Sequence, residues 1–298
     1  GKNVLTEKPM DISLSAAEQL CAAAKESGKL FGIMLNQRTS KLFTEARRIV
    51  QSGELGQLKR SIWIVTNWYR TNAYYASGAW RASWKGEGGG LLLNQAAHNL
   101  DLWQWICGMP VSVEAKLSYG LWHDIEVEDD VTAYVKYANG ATGVFVTTTG
   151  DAHGTNRLEI QLDRARIVVE NGKISLLVYE MTEQAFSKTN TEPFATVAAS
   201  KVEVETDGEN PQHVGVINAW GGAILRCEPL VADGSEGING LTLSNAMHLS
   251  SWLGREVKLP LDEELFYSEL MKRVAGSKKK ANVKEAVADT AATYGGNG

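Results

Sequence analysis

The chain has 298 residues, 44% hydrophobic and 22% charged, with a net charge of −5, which is length for one or two domains with sizeable cores. The acidic balance excludes the nucleic-acid backbone as the main partner, because phosphate binding asks for a basic surface. Cysteines at 21, 107 and 227 lack metal-ligand spacing and fit a reduced, cytoplasmic protein, and there is neither a signal-peptide pattern nor an apolar run near the ~18 residues of a membrane span.

In chain order, "GKNVLTEKPM" reads as the tail of a buried strand at residues 3–6 that runs into Glu7-Lys8-Pro9. Pro9 fixes the local backbone, so Lys8 is aimed at the strand's C-terminal end, where open α/β sheets place ligands. A plain surface charge pair before a helix is the alternative. The stretch "MDISLSAAEQLCAAAKESGK" predicts a helix opened by Ser13 and stopped by Gly28, and "LFGIML" a buried parallel strand. A second helix is expected over about 39–52. Strand, helix, strand, helix is half of a doubly wound domain.

After Gly56 the pattern changes. "QLKRSIWIVTNW" predicts a long strand, followed by a loop rich in aromatics and glycine up to Gly90 and a helix from about 91 to 107. Alternating strands follow in "SVEAKLSY", "DVTAYVKYA", "ATGVFVTTT", "RLEIQL" and "RARIVVENGKISLLVY", with tight hairpins at Asn139-Gly140 and Asn171-Gly172, the signature of an open antiparallel sheet. Residues 183–210 read as irregular, 212–227 and 236–253 as helices, and the Lys278-Lys279-Lys280 run with its small-residue tail as a solvated, frayed end.

The chemistry concentrates in "GEGGGLLLNQAAHNLDLWQWICG". On a helix Asn94, His98 and Asp101 share one stripe among Leu92, Leu93, Ala96, Leu100 and Trp103. A buried polar group left unsatisfied costs about 1–3 kcal/mol, so this stripe lines something polar, either a structural network or a ligand. Three glycines ahead of it permit close backbone approach to a strand or a ligand. No G-x-G-x-x-G, Gly-Lys-Ser/Thr, G-x-S-x-G or H-E-x-x-H pattern occurs, which argues against a phosphate loop, a serine elbow and a zinc site.

Taken together, "GKNVLTEKP", "LNQR" and "GGGLLLNQAAHNLDLWQWICG", closed by "ATGVFVTTTG…NRLEI" and "SSWLGREVKLP", resemble the Gfo/Idh/MocA family of nicotinamide-dependent sugar and cyclitol oxidoreductases. The resemblance implies an α/β chain: the C-terminal half of a Rossmann domain at 1–55, then a substrate-binding and oligomerisation domain at 56–298 with a large open, mainly antiparallel sheet. It also implies that the family's glycine fingerprint and ribose-binding acid belong to a segment of about ninety residues ahead of Gly1.

By the same resemblance, Lys8 and His98 are the catalytic pair, joined by Asn94 where many members have aspartate. An amide accepts no proton at neutral pH, so Asn94 can only orient. His98, near its ordinary pKa of about 6.5, takes the hydroxyl proton, and cationic Lys8 steadies the alkoxide. Glu7, Lys8, Pro9, Asn36 and Arg38 face the cofactor, NAD or NADP; Trp68, Arg70, Tyr74, Trp80, Arg81, Asn156 and His213 wall the substrate. The expected reaction is hydride transfer between a secondary alcohol of a neutral sugar, glycoside or cyclitol and the nicotinamide, in a homodimer or homotetramer built on the open sheet face, with no metal. Two alternatives are an NAD-dependent glycosidase of the same fold and a non-catalytic sugar-binding module.

Overall fold

A computed structural model describes residues 1–278, Lys280 and Val283. Strands β1 (Val4–Thr6) and β2 (Phe31–Ile33) pair in parallel across helix α1 (Leu14–Ser27). The Ser13 hydroxyl accepts from the Ala16 N–H, and Gly28 closes the helix at φ 61°, a left-handed angle that glycine adopts without strain. A 3-10 turn at Asn36–Thr39 follows β2 and leads into α2 (Lys41–Gln51).

The main body is built from β3 (Leu58–Val65), α3 (Asn72–Ala76), α4 (Ala97–Cys107), β4 (Ser112–Tyr119), β5 (Glu128–Lys136), β6 (Thr142–Thr148), β7 (Asn156–Leu162), β8 (Ala165–Glu170) and β9 (Lys173–Tyr179). It ends with α5 (Glu183–Thr189), β10 (Ala199–Val204), α6 (Gln212–Arg226), α7 (Gly237–Leu253), β11 (Val257–Lys258) and α8 (Glu263–Gly276). Nine strands form one sheet in the order β10-β9-β8-β7-β3-β6-β5-β4-β11, antiparallel except for β3 beside β6. The expected α/β architecture, a parallel β-α-β unit followed by a large, mainly antiparallel sheet, is therefore present.

Alternation along the strands sets the two faces. Trp63, Val65, Val131, Ala133 and Phe145 point inward and are buried under α4 and α7, which pack on β3 and β4. Trp103 of α4 stacks on Phe145 at 5.4 Å, and burying each such side chain stabilises the fold by about 2–3 kcal/mol. The opposite face carries half-buried Ile62, Ile64, Val144 and Val146.

Three expectations need correction. Residues 91–96 are turns rather than the first part of a helix, which starts at Ala97. The cause is Glu128, whose buried carboxylate accepts the N–H groups of Gly90 and Leu92 while its carbonyl accepts that of Leu91. Gly90 lies so close to β5 that an added Cβ would stand 2.6 Å from Val127, so the close approach is to a strand. Residues 183–210 contain α5 and β10, short exposed elements without the burial pattern that marks an element in sequence. At the chain's end, the Lys278 N–H reaches Glu126 and the Lys280 ammonium the Tyr75 carbonyl, whereas Lys279 and the small-residue tail, Val283 apart, lie outside the described residues.

Candidate active site

Lys8 follows β1, and its ammonium donates to the backbone carbonyl of Asn94 at 2.8 Å. In an uninterrupted helix that carbonyl would accept from residue 98; here it faces Lys8. Lys8 is thus held on the turn that leads into α4, the helix that carries His98. The Asn94 amide donates to Glu87, whose other oxygen accepts the Ala82 N–H at 2.6 Å. Burial pushes the Lys8 ammonium down to about 8; Glu7 and Glu87 oppose the shift and Arg70 adds to it. Burial also raises the Glu87 carboxyl, against the hydrogen bonds from Asn94 and Ala82 and the charge of Arg81.

His98 is buried near the start of α4. Its pKa is pushed well below the usual imidazole range by burial first, then by the charges of Lys8 and His213. The ordinary titration range expected from the sequence does not hold, because a dry site and the neighbouring Lys8 ammonium disfavour a second positive charge. His98 is therefore a neutral ring at neutral pH.

The loop after β2 supplies the opposite side. The Asn36 amide meets His213 Nδ1 of α6 at 3.4 Å. Arg38 is buried, with Nε and Nη2 on the two Asp101 oxygens at 2.8 and 2.7 Å, and Nη1 on Glu236 at 2.5 Å. Burial opposes its charge, but the two carboxylates outweigh that and hold the guanidinium above its ordinary value. Arg38 thus pins the Asn36 turn to α4 and to the start of α7, and Asp101 of the polar stripe has a structural partner.

Tyr74 is the hub of the aromatic loop. Arg70 and Arg81 stack over its ring at 5.1 and 4.7 Å, and its hydroxyl accepts from Arg81 at 3.1 Å and from Gln95 at 2.9 Å. Arg81 also covers Trp80, which is half exposed, and Arg70 covers Trp68. The Trp68 indole donates to Asn99 of α4 at 2.9 Å, and Gln95 links this wall to the Asn94 turn. Asn156 instead accepts from the Trp63 indole at 2.9 Å, tied to the sheet rather than to the cluster around Lys8. Glu7 is exposed beside Lys8, and Pro9 lies against a small cavity of about 20 Å³ also lined by Leu35, Ala97 and Asp101.

A cleft of about 830 Å³ lies elsewhere, lined by Tyr75, Trp84, Asp124, Glu126, Arg273 and Lys280 among others. Its main cation, Arg273, is already held over Trp252 and on Glu269. The shifted groups Lys8, Glu87 and His98, not that cleft, locate the candidate chemistry. Among the described residues no cluster of His, Cys, Asp or Glu could hold a metal, and no helix is long and apolar enough to cross a membrane.

Sequence reasoning missed Glu87, Gln95, Asn99 and Glu128. Glu87 had a signal, a lone acid inside a glycine run; the others lie among residues that read as core.

A sequence profile of the GFO/IDH/MocA C-terminal domain matches residues 43–174. An uncharacterized oxidoreductase of Schizosaccharomyces pombe is 32% identical over 120 residues, 39% of this chain and 31% of that protein. The scyllo-inositol 2-dehydrogenase (NADP(+)) of Bacillus subtilis is 29% identical over 117 residues, again 39% and 31% of the two chains. The chain thus matches about a third of the length of these relatives. Among solved structures, the WlbA dehydrogenase of Chromobacterium violaceum, in complex with NADH and UDP-GlcNAcA, superposes with a TM-score of 0.70 at 27% identity, over 88% of this chain and 72% of that one. The fold, the glycine-led helix entry and these matches agree with the resemblance read from the sequence: residues 43–174 match the C-terminal domain of the Gfo/Idh/MocA family.

Proposed function

We propose that this chain carries the substrate side of a dehydrogenase that moves a hydride between a secondary alcohol of a sugar, glycoside or cyclitol and NAD or NADP. The observation that carries the reading is the meeting of a buried neutral imidazole, His98, with an ammonium held near neutrality, Lys8, at the ends of β1 and β2. In support, the B. subtilis relative is named for scyllo-inositol and the C. violaceum structure holds NADH with a sugar nucleotide.

A nicotinamide cofactor fits the residues present, since Asn36 Oδ1, buried beside His213, lacks a hydrogen-bond partner among the described residues and calls for a donor. Glu7, Lys8, Pro9 and Asn36 would hold the cofactor, with Arg38 anchoring the turn that bears Asn36. When bound, it supplies the hydride acceptor or donor.

His98 takes the substrate's hydroxyl proton in the oxidative direction and returns it in the reductive one. Lys8, still cationic below its pKa of about 8, stabilises the developing alkoxide oxygen. Asn94 holds Lys8 through its carbonyl and accepts no proton. Trp80, Tyr74 and Trp68 offer faces to a sugar ring, and Arg70, Arg81 and His213 offer donors to its hydroxyls. Residues 1–55 belong with the nucleotide and 56–298 with the substrate. The apolar band Ile62, Ile64, Val144 and Val146 on the open sheet face serves a homodimer or homotetramer.

The test incubates the purified protein with NAD or NADP and a panel of neutral sugars and cyclitols. Reduced nicotinamide equal in amount to the carbonyl product supports the reading; glycoside cleavage without net reduction points to the glycosidase alternative, and binding without turnover to the sugar-binding one.

A further inference from the structure

The described mechanism leaves one ionisable group next to the reacting residues without a task. Glu87 is half buried, and its two oxygens are both engaged, one by the Asn94 amide and one by the Ala82 N–H. Through Asn94 it is one residue removed from Lys8, because the same asparagine gives its carbonyl to the Lys8 ammonium. The two donors ask for two acceptor oxygens, which a carboxylate offers and a glutamine of the same shape does not. A carboxylate in a drying site costs free energy unless a cation nearby uses it.

We propose that Glu87 is the positioning residue for Lys8: it locks the Asn94 turn that grips the ammonium and supplies the negative charge that keeps that ammonium protonated while it faces the substrate oxygen. The proposal rests on the reading of Lys8 as the cationic group of the dehydrogenase. It adds a residue that touches neither substrate nor cofactor. The charges around Lys8 are Glu7 and Glu87, which favour its cationic form, and Arg70 of the aromatic loop, which opposes it; His98 of α4 faces it as a neutral ring. Those around Glu87 are Arg81, which favours its ionised form, Glu128, which opposes it, and Lys280, whose charge Glu87 in turn supports. Glu7 also favours the cation and stays in place when Glu87 is removed, so the loss of Glu87 lowers the Lys8 ammonium only in part.

The experiment reads Lys8 directly. Trace acylation with acetic anhydride is followed across the neutral and alkaline range by peptide mass spectrometry, in the wild type and in Glu87→Gln, Glu87→Asp and the double variant Glu87→Gln/Asn94→Asp. The wild-type midpoint is expected near 8. Glu87→Gln lowers it, raising Lys8 labelling at neutral pH roughly threefold. Glu87→Asp, which keeps the charge, moves it less. The double variant, which restores both the charge and a hydrogen bond between the two positions, returns it toward the wild type, and the smaller shift in Glu87→Asp than in Glu87→Gln is what a purely structural role would not give. A midpoint unchanged in Glu87→Gln, or equal loss in Glu87→Gln and the double variant, overturns the proposal. Because labelling needs no turnover, the two readings separate. A wild type that reduces no nicotinamide while its Lys8 midpoint moves as stated defeats the dehydrogenase reading alone. An active enzyme with an immobile midpoint defeats this proposal alone.

Discussion

Arg38 grips Asp101 with two parallel hydrogen bonds, 2.8 and 2.7 Å long, between a loop at the end of β2 and the middle of α4, 63 residues further along the chain. Both side chains are nearly inaccessible to water, so the pair is a clamp on the site's geometry. Breaking such a pair by removing one partner strands a buried charge. Asp101→Ala should therefore lower stability by about 3–5 kcal/mol in urea unfolding, and Arg38→Met/Asp101→Leu by less than the sum of the two single changes. Additive losses would show that the pair is not coupled.

Glu128 gives a pH signature. Burial works against its charge, but His248 and the N–H groups that it caps hold the carboxyl below its usual value of 4.5. A carboxylate with a depressed native pKa contributes stability that is present above the unfolded value and lost as pH falls through the native one. Unfolding free energy should drop on acidification below about 4.5, and Glu128→Gln should be less stable by about 3 kcal/mol at neutral pH with a shallower acid slope. An unchanged slope in the variant would remove Glu128 from the account.

Lys8 carries the alkaline limb. Its ammonium is lowered to about 8 chiefly by burial, and in the proposed mechanism the cation is the active form, so turnover should fall as pH rises through that value. Lys8→Met should lower kcat roughly a hundredfold or more while folding is retained, and should abolish the limb. A limb that persists in Lys8→Met would belong to another group.

The aromatic wall predicts a binding effect. Arg81→Ala removes the guanidinium from Tyr74 and Trp80 and should raise KM for a polyol about tenfold, with kcat changed less than threefold. A loss confined to kcat would place Arg81 at the reacting atoms instead.

Legibility in the sequence followed locality. Helix α1 could be read because Ser13 and Gly28 mark its ends, and the β8–β9 hairpin because Asn171 and Gly172 take left-handed angles of 51° and 70°. The readings of Lys8 and His98 rest on short motifs, and the structure sets the two residues close enough for the Lys8 charge to act on His98. Helix α8 was overlooked although Asp262 caps it. What could not be read depends on distant partners. Glu128 converts the expected helix at 91–96 into a capped turn from 36 positions away, and Asn36 meets His213 across 177. The His98 shift comes from burial beside Lys8 and His213, a property of packing and not of spacing.

The central claim is that a hydride leaves a substrate carbinol while His98 takes its proton. The most direct measurement follows deuterium from the carbinol carbon of a labelled cyclitol or sugar into the nicotinamide ring by mass spectrometry, in the wild type and in His98→Asn. The account predicts deuterium in the reduced nicotinamide of the wild type and a loss of rate of about a hundredfold or more in the variant, with folding intact. Product formed with no deuterium in the nicotinamide, or equal transfer in both proteins, would contradict it.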